Sequence, residues 1–198
     1  MSVKLAELAE STARYLDAIR SGAMPVPPLF EPSLYESPLE RDFAWNAVKY
    51  LERTAILKPQ HWVSAEGRNY RMDFMLSARD GRLVGIECDG RGYHLNRERD
   101  DMRDRAILEA GELHAIYRLR GQDVFWLIED VFYLLHLYEP QLFSERGARN
   151  LNHLASESAK NANHYGPLVI AEYQDEENGF SYDLQFVIRK PGEDWTTC

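Results

Sequence analysis

The chain has 198 residues, of which 44% are hydrophobic, and this size fits one globular domain with a substantial core. Its formal net charge of −9 counts against a generic nucleic-acid binder, because such proteins are usually basic. Only two cysteines are present, which argues against a disulfide framework. With no apolar run of membrane-spanning length and no apolar leader, the sequence predicts a cytoplasmic protein.

The first 36 residues form a region of their own. Residues 4 to 20 carry apolar side chains at helical spacing, which predicts an amphipathic helix that packs on the domain or binds a partner. Prolines recur from Met24 to Pro38 and exclude a regular helix there, so this segment is predicted to be an extended arm.

A second helix is predicted from Ser37 to about Arg53. Ser37 at the N-cap, Pro38 at the first helical position and Glu40 three residues after the cap form a capping box. Glu40 therefore has a sufficient structural function, and any catalytic function would be additional. A strand is expected next, over residues 57 to 65.

Two further strands surround an Asp-Gly turn at residues 79 to 81, which is a strong hairpin signal. Because side chains alternate along a strand, residues 70, 72, 74 and 76 are expected on one face of the first strand. The same alternation brings Asp73, Glu87 and Asp89 to one side of the hairpin. Either this is a solvated acidic face, or the carboxylates hold a hard cation such as Mg²⁺ or Mn²⁺.

The hairpin is followed by a loop with Arg91 and His94 and by an arginine-rich helix over residues 96 to 110. Met102 is expected in the buried stripe of this helix. Its charges either form i,i+4 pairs, such as Asp101 with Arg105, or contact phosphate through arginine. Asp100 and Asp104 are interpreted as polar contacts between helix and sheet. Three tryptophans are expected in the core rather than as base-stacking surfaces: Trp45, Trp62 and Trp126.

The rest of the chain alternates strand and helix again. A strand is predicted over 114 to 119, a very apolar helix over 122 to 138, and a helix of modest propensity over 150 to 162. Strands over 168 to 173 and 180 to 189 are joined by an acidic turn that ends in Asn-Gly, which predicts a C-terminal β-hairpin.

This order of elements resembles the core of the PD-(D/E)XK nuclease superfamily, in the branch related to the very-short-patch-repair endonuclease and its small relatives. The matching segments span residues 37 to 138 and read SPLERDFAWNAV, KPQHWV, YRMDFML, LVGIECDGRGYH and RDDMRDRAILEAGELHAIYRLR. The resemblance implies an α/β (α+β) fold with a restriction-endonuclease-like core, in which a central mixed sheet is flanked by helices. Residues 1 to 36 would be an appended helix and arm, and residues 139 to 198 a C-terminal extension.

The resemblance also implies functions for individual residues. Asp73 and Glu87 would be metal ligands, with the backbone carbonyl of Cys88 completing the site, and Glu40 would match an acidic helix residue that binds or orients metal through water. Gln60 matches a glutamine that often precedes the aspartate strand. Four arginines would contact nucleic acid: Arg91, Arg97, Arg99 and Arg103.

One position departs from the superfamily. Its lysine, which orients the attacking water and stabilises charge, is replaced here by Asp89, as also in the related branch. Asp89 would either help to bind metal or deprotonate water. His94 or Arg91 would supply what the lysine does, His94 as acid or base and Arg91 only as a fixed charge.

The resulting expectation is a Mg²⁺- or Mn²⁺-dependent DNA endonuclease or nickase, acting in DNA repair or in defence against foreign DNA. The alternative is a catalytically inactive nuclease-like fold that binds nucleic acid or protein in a larger complex. In that case the N-terminal helix or the acidic C-terminal hairpin would bind the protein partner. The sequence leaves the DNA target and the oligomeric state open.

Overall fold

A computed structural model describes residues 32–90, 97–175, 179–193 and 195. The predicted N-terminal helix and most of the proline-rich arm lie outside the described residues, as do the loop with Arg91 and His94, the side chain of Arg97 and the tip of the acidic turn. The chain divides into two compact units, Met1–Leu34 and Tyr35–Cys198. In the first, the described residues form a short 3-10 helix, Pro32–Leu34.

The second unit contains helices and strands in a mixed order. Its helices are α1 (Pro38–Tyr50), α2 (Arg97–Glu109), α3 (Gly121–Trp126), α4 (Ile128–Tyr138), α5 (Glu145–Leu154) and α6 (Glu157–Lys160), with a 3-10 helix at Pro140–Leu142. Its strands are β1 (Ile56–Ala65), β2 (Arg68–Ser77), β3 (Leu83–Asp89), β4 (Ala115–Arg120), β5 (Asn163–Tyr165), β6 (Leu168–Asp175) and β7 (Phe180–Arg189).

The strands of the described residues form one seven-stranded sheet in the order β1-β2-β3-β4-β7-β6-β5. Neighbours are antiparallel except β3 and β4, which are parallel and are connected through α2. The predicted α+β class with a mixed sheet and flanking helices is therefore confirmed. The C-terminal hairpin, β6 with β7, extends this same sheet through the pairing of β7 with β4.

The start of α1 follows from its first residues. The Ser37 hydroxyl accepts a hydrogen bond from the Glu40 backbone N–H at 3.2 Å, and Pro38 occupies the first turn, where its missing N–H costs nothing. The Glu40 carboxylate accepts in turn from the Ser37 hydroxyl and from the Glu36 backbone N–H. The predicted cap is confirmed, and it fixes the position of the Glu40 side chain.

Apolar side chains cover both faces of the sheet. On one face, Phe43 of α1 stacks at 5.0 Å on Phe132 of α4 and lies 5.0 Å from Phe74 of β2. On the other face, a smaller cluster includes Met72, Ile107 and Ile116. Full burial of such a side chain is worth about 1.5–3 kcal/mol, so these layers hold α1, α4 and α2 against the sheet.

The strict alternation predicted for β2 is wrong at one point. Phe74 and Leu76 lie in the larger cluster, but Met72 lies in the smaller one on the opposite face. The β1–β2 ladder pairs Pro59 with Phe74 and His61 with Met72, and Gln60 between them has φ 49. Left-handed backbone is uncommon for a residue with a Cβ, and here it interrupts the ladder beside Asp73.

Two of the three tryptophans expected in the core are exposed. Trp62 is 59% exposed because it stands on β1 opposite Arg71, whose guanidinium lies 5.6 Å from the ring centroid. Trp126 is 76% exposed at the end of α3. Trp45 is half-buried.

Two expectations about α2 are also wrong. Met102 is 66% exposed, because the inward face of the helix carries Asp104 together with Ala106, Ile107 and Leu108. Asp101 pairs with Arg189 instead of Arg105. The Arg105 guanidinium lies 5.1 Å from the ring centroid of Trp195, so cation–π contact takes the place of an i,i+4 pair.

The predicted helices of the C-terminal half are each divided in two. The apolar helix breaks at Leu127, whose ψ of 35° ends α3 before α4 begins. The weak helix is replaced by α5 and α6, each capped by a serine hydroxyl. Among the described residues, no helix is both long enough and apolar enough to cross a membrane.

Candidate functional site

Asp73 and Glu87 occupy neighbouring positions on the paired strands β2 and β3. Phe74 of β2 is in register with Ile86 of β3, and the two carboxylates stand one residue beyond this pair. Asp73 Oδ2 accepts a hydrogen bond from the Cys88 backbone N–H at 2.7 Å. This hydrogen bond fixes the carboxylate of Asp73, on β2, to the backbone of β3 next to Glu87.

Glu40 approaches the same place from α1. It is 4% exposed and accepts from Gln60 Nε2 at 2.6 Å, so the distorted residue of β1 and the capped end of α1 meet at one carboxylate. The other amide atom, Gln60 Oε1, is buried and accepts no hydrogen bond from the described residues. A buried acceptor of this kind is usually satisfied by water or an ion.

Burial and like charge raise the pKa values of the central carboxylates. Burial is the main cause for Asp73 and raises its pKa to about 6, against the lowering effect of the Cys88 N–H; the charges of Glu40 and Asp89 add to the rise. Burial likewise raises the pKa of Glu87 to about 8, although Arg103 opposes it. Both groups are held in an environment that disfavours uncompensated negative charge.

Arg103 of α2 is the cation in contact with Glu87. Its Nη2 donates to Glu87 Oε1 at 2.5 Å and to the Arg71 backbone oxygen at 2.9 Å, and lies 3.6 Å from Met72 Sδ. With a side chain that is 23% exposed, Arg103 reaches solvent at the margin of the site. The positive charge of Arg103 therefore offsets the negative charge of Glu87.

Asp89 belongs to a second ionic group beside the first. Both of its oxygens accept from Arg118 Nη1, at 3.0 and 3.2 Å. Arg118, in register with Glu87 across β3 and β4, also donates to both oxygens of the fully buried Asp104. Asp104 accepts further from Arg189 Nη1 at 2.8 Å. The prediction that Asp104 makes a polar contact between helix and sheet is confirmed.

Burial and neighbouring negative charge both act on the thiol of Cys88. Its pKa is raised well above the usual range, first by burial and then by the charges of Asp73, Glu87, Asp89 and Glu40. The thiol itself is kept protonated and is a poor nucleophile.

The remaining predicted residues are less informative. Arg99 of α2 is exposed. Arg91, His94 and the side chain of Arg97 lie outside the described residues. Arg118 was not predicted as part of the site; the signal for it in the sequence is an arginine that stands between Tyr117 and Leu119 in a strand that is buried up to its last residue.

The donor set was tested for fit to a divalent cation. Within the described ranges, no three His, Cys, Asp or Glu side chains are grouped to hold a metal ion. Mg²⁺ typically takes one or two carboxylates and fills its other positions with water and phosphate. Asp73, Glu87 and the orphan Gln60 Oε1 are oxygen donors of the hard kind that Mg²⁺ prefers, so the residues present fit this ion.

Comparison of the chain with protein-family models, with curated proteins and with solved structures gives no match to any of them. Function is therefore inferred from the residues and geometry of this chain alone.

Proposed function

We propose that this protein is a Mg²⁺- or Mn²⁺-dependent hydrolase of DNA phosphodiester bonds, built on a restriction-endonuclease-like core. The observation that carries the proposal is that Asp73 and Glu87 occupy facing positions on β2 and β3, with Asp73 hydrogen-bonded to the Cys88 backbone N–H and the buried Glu40 bonded to Gln60 of β1. The core is supported by the arrangement of three antiparallel strands followed by a parallel β3–α2–β4 crossover. Repulsion among buried carboxylates is costly unless a cation relieves it.

Asp73, Glu87 and the Cys88 carbonyl would hold the ion, which when bound polarises a phosphoryl oxygen and lowers the pKa of water. Glu40 orients Gln60, whose Oε1 is the acceptor that positions a water beside the carboxylates. Burial raises the pKa of Asp89 above its usual range, against the effect of Arg118, and this makes the carboxylate a better proton acceptor.

In this proposal Arg103 and Arg99 bind the phosphate backbone of the nucleic acid. When a metal holds Glu87, Arg103 would be free to turn its planar fork to a phosphate oxygen, and Arg99 would contact the backbone from the exposed side of α2. Binding of this kind is local to α2, and so it is compatible with the negative total charge of the chain.

Cleavage of supercoiled plasmid and of labelled duplex and single-stranded oligonucleotides tests the proposal. The assay contains about 5 mM Mg²⁺ or Mn²⁺ at about pH 8.5, above the pKa of about 8 for Glu87, so that the carboxylate ligands are mostly ionised and can bind the metal. Asp73→Asn and Glu87→Gln are each expected to lower the rate by more than about 100-fold, because several kcal/mol of charge stabilisation are lost. Asp80→Asn is the matched control, since Asp80 is exposed in the turn of the same hairpin. Variants that cut as fast as the parent would overturn the assignment.

A second candidate is a nuclease-like fold that binds nucleic acid or protein without cleaving it. It is favoured by the ion pair of Glu87 with Arg103 and by the commitment of both Asp89 oxygens to Arg118. Calorimetric titration with Mn²⁺ separates the two functions. Heat of binding that disappears in Asp73→Asn supports the hydrolase, and no binding at millimolar Mn²⁺ supports the binding module.

A further inference from the structure

A separate cavity of about 440 Å³ lies beside α3 and β7. This volume falls in the range of about 300–1,000 Å³ that is usual for small-molecule sites. Its walls combine aromatic, amide and carboxylate groups: Gln122, Asp123, Trp126, Leu127, Tyr182 and Asp183. The carboxylate site described above uses none of them.

The two aromatic walls are exposed but held in place. Trp126 is 76% exposed, and Phe125 meets its ring edge-on at 4.6 Å and 86°. Tyr182 is 49% exposed and stacks on Tyr173 at 4.8 Å and 4°. The Tyr173 hydroxyl donates to Asp130 at 2.7 Å, which anchors that stack to α4. Aromatic side chains have few rotatable bonds, so they lose little conformational entropy when a flat ligand stacks on them.

The acidic groups of the cavity are already compensated. Arg120 donates to both oxygens of Asp123, at 2.8 and 3.1 Å, and lies 3.4 Å from Asp183. Gln122 is exposed, and its amide offers both a donor and an acceptor. The cavity thus presents aromatic faces and neutral or neutralised polar edges, which match a planar heterocycle with hydrogen-bonding edges better than a free anion.

The cavity adjoins the candidate site through the end of β4. Arg120 is in register with Asp89, and a Cβ added to Gly121 would lie 3.2 Å from the Asp89 carbonyl oxygen. Trp126 follows Gly121 by five residues of α3, or about 7.5 Å along the helix axis. This distance corresponds to roughly two nucleotides, at the rise of about 3.4 Å per step along a duplex strand.

We propose that this cavity binds a single unpaired nucleobase, stacked against Trp126 and Tyr182 and hydrogen-bonded at its edge by Gln122. The assignment of the base to a nucleic-acid substrate rests on the proposed function, and it narrows that substrate to DNA with an unstacked base near the phosphate that is attacked. Stacking on aromatic side chains tolerates all four bases, so the cavity selects for an accessible base rather than for a sequence.

The experiment measures binding of a fluorescein-labelled single-stranded octanucleotide to the full chain in EDTA, by anisotropy. Trp126→Ala is expected to weaken binding about five- to 150-fold, the usual range for loss of one base stack. Trp126→Phe is expected to retain most of the affinity. Trp62→Ala, which removes the exposed tryptophan of β1, is the matched control and is expected to stay within about twofold of the parent.

An octanucleotide of abasic sugar-phosphates separates base stacking from phosphate contact and from misfolding. The parent is expected to prefer the normal strand over the abasic one, and Trp126→Ala to bind both alike. Equal affinity of the parent and Trp126→Ala for the normal strand overturns the proposal. So does a change of sedimentation coefficient in Trp126→Ala with binding unaltered, since the cavity would then be a contact between copies of the chain.

Because binding is measured without metal, the two proposals fail separately. If Trp126→Ala loses base-dependent binding and the parent protein does not cleave DNA, the base-binding proposal stands and the hydrolase proposal is wrong. If cleavage depends on Asp73 but octanucleotide binding is the same in Trp126→Ala as in the parent, the hydrolase proposal stands and the base-binding proposal is wrong.

Discussion

Two groups of buried charge lie beside one another on the sheet, and they are balanced differently. In the group around Arg118, two guanidinium groups face Asp104, and both oxygens of that carboxylate accept hydrogen bonds from them. In the group around Cys88, Asp73 accepts a hydrogen bond from the Cys88 backbone N–H, and Glu87 on the facing strand accepts one from Arg103, the cation in contact. Buried charges that are fully paired make a fold more rigid, whereas an excess of buried negative charge can be compensated by binding a cation.

The first way to test this contrast is to break the paired group. Asp104→Ala leaves the buried guanidinium groups of Arg118 and Arg189 without their shared partner. Removal of one member of a buried ion pair costs about 3–5 kcal/mol, so the free energy of unfolding in urea is expected to fall by that amount. Asp100→Ala, one helical turn away on α2, is the control; an equal loss there would assign the effect to the helix rather than to the pair.

The second test uses the opposite group and pH. The pKa of Glu87 is raised from about 4.5 to about 8 on folding, so the folded state holds a proton that the unfolded state has lost. Stability contributed by this protonated form is therefore present below about pH 4.5 and is lost as pH rises toward 8. Glu87→Gln cannot ionise, and it is expected to remove a decline on the order of a few kcal/mol between these values.

The measurement is the urea midpoint of parent and Glu87→Gln at intervals from about pH 5 to about pH 8.5, which spans the titration of a carboxyl with a raised pKa. The two curves are expected to diverge with rising pH, the variant being the more stable at the upper end. Curves that stay parallel would show that the Glu87 carboxylate is already ionised and satisfied, as in the group around Arg118.

The third and smallest test concerns the cation of the acidic group. Arg103→Gln removes the guanidinium that competes for Glu87 Oε1, so Mg²⁺ binding at about pH 8.5, where Glu87 is ionised, is expected to tighten about tenfold. DNA cleavage is expected to slow at the same time, because the proposed contact of Arg103 with phosphate is lost.

Calorimetry gives the affinity of the Arg103 variant and the plasmid assay gives its rate. Arg105→Gln is the control on the same helix, since its guanidinium packs on Trp195 away from the carboxylates. Weaker Mg²⁺ binding in Arg103→Gln would contradict the view that the arginine and the ion occupy Glu87 alternately.

Local patterns predicted much of the fold. Ser37, Pro38 and Glu40 specify the start of α1 because a cap is a matter of a few adjacent residues. The Asp-Gly turn specifies the β2–β3 hairpin in the same way, and that pairing brings Asp73 and Glu87 to adjacent positions. The left-handed backbone at Gln60 was not predictable, since no local rule calls for a left-handed glutamine; it occurs where the Gln60 side chain donates a hydrogen bond to Glu40 of α1.

What the sequence by itself determined is most of the elements, including the strands that carry the acidic residues, because periodicity, caps and turns act over short distances. It missed β5 and the breaks that divide the helices of the C-terminal half. The tertiary structure decided how each charge is satisfied. It paired Asp89 with Arg118, Glu87 with Arg103 and Asp101 with Arg189. It also placed Trp126 in an exposed position beside a cavity. Such pairings depend on the packing of α2 and β7 against the sheet, and partners as far apart in the chain as Asp101 and Arg189 have no signature in local sequence.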